Sequence, residues 1–144
     1  MTSAIRDFFT ACNPAHREFY SALMHDWREA GLPLSAGDGC VRLQARSVAR
    51  STEEGRPTLY ELRAEQGREG ARIEMDVGRW QRWLGEEETD ACVQALAGIE
   101  GVSVRRQGVK LWIIEPGHAS GPTQQALRTA LAQLGRRAAE LMGA

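Results

Sequence analysis

Hydrophobic residues recur along the chain with two different periods, and those periods divide it into helices and strands. Phe19, Leu23 and Trp27 stand four apart, with Tyr20 and Met24 beside them, which gives a helix over 14–30 one apolar face. Asn13-Pro14 supplies a capping side chain followed by proline in the first turn, and Gly31 ends the segment. A shorter helical turn precedes it around 5–11. After Gly37-Asp38-Gly39 the period drops to two. Val41, Leu43 and Ala45 alternate with Arg42, Gln44 and Arg46, which marks a strand over 41–46 with one face in a core and the other in water. The polar stretch 50–57 reads as a loop. Tyr60 and Leu62 then alternate with Glu61 and Arg63, and Ile73, Met75 and Val77 with Arg72, Glu74 and Asp76, as the two strands of a hairpin.

Val77, Trp80 and Leu84 fall at helical spacing, with Trp83 alongside, so a short amphipathic turn runs to Gly85. Glu86, Glu87, Glu88 and Asp90 crowd the start of a helix over 89–98, where negative charge complements the macrodipole; Val93, Leu96 and Ala97 are its expected core residues. A second hairpin joins 102–106 to 109–114 through Gln107-Gly108, with Val109, Leu111 and Ile113 on the core side. Gly121-Pro122 opens a last helix in which Leu127, Leu131, Leu134, Ala138 and Leu141 form one stripe. Gly135 inside it costs about 1 kcal/mol relative to alanine and points to a close contact. The elements predict one α+β domain over 1–144. Its five-stranded antiparallel sheet carries helices mainly on one face, in the order α-β-β-β-α-β-β-α. This order is similar to that of the type III secretion chaperones, and the resemblance implies a protein-binding role.

Composition changes the picture little. The formal net charge is −1, so no global field favours nucleic acid or membrane. Seventeen of the eighteen basic residues are arginine and only Lys110 is lysine, which together with the many Ala and Gly reads as a GC-rich coding bias. Cys12, Cys40 and Cys92 are scattered and odd in number, against a disulfide framework. Residues 1–10 lack an apolar signal core, and the apolar run 109–114 is short and interrupted by Lys110. A cytoplasmic location is expected.

Candidate chemistry gathers on the polar face of the sheet. With Leu111 and Ile113 turned inward, Trp112 and Ile114 point outward among charges. A tryptophan there offers large rigid area at low entropic cost, while the competing expectation is that a neighbouring helix or loop, such as 77–84 with its two tryptophans, folds over it, since large aromatics are mostly buried. The expected binding surface is therefore Trp112 with Arg42, Arg46, Arg63, Arg72, Arg105 and Lys110, and Arg63 is placed to pair with Glu74 across the hairpin. An alternative site uses Glu74 and Asp76, on one strand face, with Lys110, as in a magnesium-dependent nuclease; the usual acid-then-lysine spacing on one strand is absent. No catalytic residue, cofactor or metal set is expected. Cys12 and His16 lack paired short spacings, His118 and Ser120 fit a loop and helix cap, and neither a G-x-S-x-G elbow nor a phosphate loop occurs. The arginine-rich strands carry no aromatics to stack bases, which disfavours nucleic acid. The expected function is a non-catalytic protein-binding or adaptor module whose partner is another protein or a second copy in a homodimer. The alternative is a metal-dependent nucleic-acid-processing enzyme or nucleic-acid-binding domain using the charged sheet face.

Overall fold

The computed structural model describes residues 3–37, 39–46, 56–64, 71–115 and 121–143. Helix α1 (Ser3–Ala11) and helix α2 (Pro14–Glu29) are followed by strands β1 (Leu34–Gly37), β2 (Cys40–Gln44), β3 (Thr58–Arg63) and β4 (Ala71–Asp76). Helices α3 (Val77–Leu84) and α4 (Glu86–Ala97), strands β5 (Ser103–Gln107) and β6 (Lys110–Glu115), and helix α5 (Gly121–Leu141) complete the order. The class is α+β, with one sheet in which neighbouring strands run antiparallel in the order β1-β2-β3-β4-β6-β5.

The sheet has six strands and the described chain five helices, against the five strands and three helices the patterning predicts. The extra strand is β1. Its sequence, Leu-Ser-Ala-Gly, has no alternation to read, and all four residues are half-buried. It forms because Gly39, at φ +72°, turns the chain back so that Leu34 pairs with Leu43 and Gly37 with Cys40. The extra helices are the two segments that read as single turns. In α1, Ile5 and Phe8 are buried on one side; α3 is secured at its start by Asp76, whose carboxylate accepts the Arg79 backbone N–H at 3.0 Å.

Strand alternation sorts the core from the surface. Val41, Leu62, Ile73 and Ile113 lie side by side across four strands and all are fully buried. Tyr60, beside Leu43 on β2, meets the ring of Trp27 from α2 and that of Trp80 from α3, so this is the face that the helices cover. Leu127, Leu131 and Ala138 of α5 join the same core. Several expected core positions fall elsewhere. Val109 sits in the β5–β6 turn and is 55% exposed, because the two-residue loop is Gly108-Val109. Leu141, 42% exposed, ends α5, and Met142 takes the buried place instead. Helix α4 begins at Glu86 and packs through Thr89, Cys92 and Leu96, which leaves Val93 half-buried and Ala97 exposed. Among the described residues no helix is long and apolar enough to cross a membrane.

Helix α5 lies against α2 at one point with no spare room. A Cβ on Gly135 would collide with Cη2 and Cζ3 of Trp27. That indole cannot retreat, since its N–H donates to the carbonyls of Pro33 at 2.9 Å and Gln44 at 3.2 Å. In an ordinary helix Gly→Ala stabilises by about 1 kcal/mol. Here the sign reverses. Gly135→Ala is expected to destabilise by about 1–3 kcal/mol, the range for overpacking a filled core, read as a lower urea midpoint. An unchanged or raised midpoint contradicts this packing.

Candidate binding surface on the sheet

The register that aligns the core also aligns the opposite face. Ser35, Arg42, Glu61, Glu74, Trp112 and Arg105 stand opposite one another in turn, one from each strand, in a row across the whole sheet. Arg63 and Arg72 lie one step along, on β3 and β4. These side chains are tied together. Arg63 pairs with Glu61 at 2.6 Å and with Glu74 at 3.4 Å. Partial burial works against the Arg63 charge, but Glu74 and Glu61 outweigh it and hold the guanidinium above its ordinary pKa. The second oxygen of Glu74 accepts the Trp112 indole N–H at 3.2 Å, and the Arg72 guanidinium lies over the Trp112 ring at 4.3 Å from its centroid. Trp112 is therefore half-buried under a cation. The tryptophan-bearing helix α3 does not cover it: Trp80 is fully buried against Tyr60 on the other face.

A residue from the core side fixes where this network sits. The Tyr20 hydroxyl of α2 accepts the Arg72 backbone N–H at 3.0 Å. It also lies 3.0 Å from the Arg63 carbonyl and 3.1 Å from the Arg72 carbonyl, either of which can take its one proton. It thus bridges β3 and β4 just beyond the Glu61–Glu74 and Leu62–Ile73 pairings, at the two residues whose side chains carry the network. Tyr20 reads from the sequence only as a core aromatic. Its polar tip acts across the sheet, and helix periodicity carries no trace of that. Glu61 is likewise absent from the expected site, although its alternation with Leu62 places it on this face.

The alternative site is brought together in part. Glu74, Asp76 and Lys110 line one cavity of about 200 Å³, with Glu61, Arg63 and Arg79 at its polar walls. Asp76 stands opposite Lys110 in the ladder. Its oxygens are engaged by α3, one accepting the Arg79 N–H and the other 3.7 Å from the Arg79 side chain. Among the described residues no three His, Cys, Asp or Glu converge as a metal-binding set.

The remaining candidates are spread out. Arg42 is half-buried near the edge strand, where a side chain at Gly37 would meet its guanidinium at 3.6 Å. Arg105 is exposed on edge strand β5. Arg46 leaves the group: β2 ends at Gln44, and a bulge between Leu43 and Gln44 shifts the register. Gln44, expected on the open face, is buried instead, and its amide donates to the Arg56 carbonyl at 3.4 Å. The Ile114 side chain, His118 and Ser120 lie outside the described residues. The three cysteines are buried and form no disulfide. Burial pushes the Cys12 thiol up to about 11 in spite of nearby Arg17, so it holds its proton at neutral pH and is no nucleophile there.

No protein-family model, curated protein or solved structure matches the chain.

The bridging role of Tyr20 is testable without altering the core's shape. Tyr20→Phe leaves the Arg72 N–H and its facing carbonyls short of a partner at a half-buried position. It is expected to cost about 1–3 kcal/mol, read by chemical unfolding, and to raise the hydrogen-exchange rate of the Arg72 amide. Equal stability with unchanged exchange contradicts the bridge.

Proposed function

We propose that this chain is a non-catalytic protein-binding module of adaptor type that engages its partner through the uncovered sheet face, with Trp112 as the central anchor. The partner is another polypeptide or a second copy of the chain. One observation carries this reading: the Trp112 indole is fixed in place before any partner arrives, by the Glu74 carboxylate at its N–H and the Arg72 guanidinium over its ring. A fixed aromatic loses little conformational freedom on binding, and flanking arginines are frequent at the energetic centres of interfaces. Arg42, Arg63, Arg105 and Lys110 set the charge around it.

The nuclease-like alternative draws support from the shared cavity of Glu74, Asp76 and Lys110. Against it stands the engagement of both acids: each oxygen of Glu74 already meets Trp112 or Arg63, and those of Asp76 meet Arg79. Carboxylates bound in this way make poor magnesium ligands or bases.

Two measurements on the wild type and Trp112→Ala test the proposal. Sedimentation equilibrium reads self-association, and affinity capture from the native host reads a foreign partner. The expected outcome is that one of these interactions is present in the wild type and weakened tenfold or more in the variant, with the circular dichroism spectrum unchanged. Identical behaviour of both proteins in both measurements overturns the proposal.

A further inference from the structure

Most of the described arginines have something to hold. Arg63, Arg79, Arg128, Arg136 and Arg137 pair with carboxylates, Arg72 covers Trp112, and Arg17 and Arg106 donate to backbone carbonyls. Among the described arginines without such a partner, Arg28, Arg46 and Arg56 differ in lying together. They line one open cleft of about 630 Å³ together with Gly31, Leu32 and Pro33, all three are exposed, and none has an ion pair among the described residues. Of the acids nearest to Arg28 along α2, Asp26 pairs with Arg128 at 3.4 Å and Glu29 lies 3.8 Å from the His25 imidazole.

The backbone that presents these arginines is held firmly. Gln44 N–H donates to the Pro33 carbonyl at 3.0 Å, Ala45 N–H to the Pro57 carbonyl at 2.9 Å, and the Gln44 side chain to the Arg56 carbonyl. Continuing the Gln44–Thr58 pairing one step past Ala45 and Pro57 sets Arg46 directly opposite Arg56. Like charges in that position repel and cost stability. Arg28, in the last turn of α2, is explained by the helix dipole alone, but Arg46 and Arg56 are not. Three exposed arginines lining one cleft, in a chain of net charge −1, form an arrangement that an oxyanion relieves.

We propose that this cleft, between the end of α2 and the β2–β3 ends, binds a phosphate-class oxyanion: a free phosphate compound or a phosphoryl group carried on a peptide. Arg46, just past β2, and Arg56, just before β3, grip the anion from two sides and Arg28 closes the third, while Leu32 and Pro33 give a small apolar floor. The site is separate from the Trp112 face and does not depend on it.

Isothermal titration with sodium pyrophosphate, at ionic strength matched with sodium chloride, tests this. The expected result is one saturable site per chain that is weakened tenfold or more in Arg46→Ala and in Arg56→Ala and unchanged in Arg105→Ala. Arg46→Lys, which keeps the charge and removes the fork, is expected to fall between the wild type and Arg46→Ala. A short phosphoserine peptide in a parallel titration distinguishes the sources: tighter binding than pyrophosphate assigns the site to a phosphorylated polypeptide, weaker binding to a free phosphate compound. Absence of saturable heat with both probes, or equal weakening by Arg105→Ala, overturns the proposal and leaves the three arginines as solvated or internally answered charges.

Discussion

Among the described residues no helix covers the Trp112 face of the sheet, so that face has to satisfy its side chains from within, and that constraint shapes everything on it. Alternation sends every second side chain of six strands away from the core, and the register lines them up in a row. Isolated charges in such a row would repel or lie idle in water. Here Arg63 sits between two carboxylates, Glu74 divides its oxygens between Arg63 and Trp112, and Arg72 rests on the indole. Ion pairs at a protein surface contribute little individually, about 0–1 kcal/mol, and these are only part-buried. Their consequence is geometric. They hold one large aromatic in a single orientation on a polar surface.

The helical layer makes that arrangement rigid from behind. Trp27 joins α2 to the segment before β1 and to the end of β2 by hydrogen bonds, meets Tyr60 on β3, and abuts Gly135 of α5. Tyr20, seven residues earlier and on the same helix, reaches through to the backbone of β3 and β4. The two residues that read from the sequence as ordinary core aromatics thus set the position of both the packed face and the open one. Their apolar rings fill the core while their polar tips find strand carbonyls, the usual resolution for a buried tyrosine or tryptophan.

Much of this was legible in the residues, and the failures have physical causes. Period-two alternation located β2, β3, β4 and β6 and separated their faces, and the Arg63–Glu74 pair follows from it. Period-four spacing located α2, and Gly135 was legible as a close contact because glycine in the middle of a leucine-bearing helix needs a reason. Strand β1 was not legible, since Leu-Ser-Ala-Gly has neither alternation nor β-branched residues and is held by its partner rather than by its own preference. The burial of Gln44 coincides with a shift in the β2–β3 register that leaves Leu59 of β3 over and that the alternation of β2 does not announce, and Arg46 lies past the end of β2. The Arg28, Arg46 and Arg56 cleft is hidden because Arg46 and Arg56 lie outside the strands and Arg28 at the end of α2, where neither period relates them.

Trp112 stands half-buried on a polar sheet face that no described helix covers. Hydroxyl-radical footprinting of the dilute purified chain, read by mass spectrometry at each tryptophan, tests it directly. Trp27 and Trp80 are fully buried and serve as internal references. Oxidation of Trp112 well ahead of both is the predicted result. Protection of Trp112 to the level of Trp80 would mean that a layer covers this face and would contradict an open binding surface.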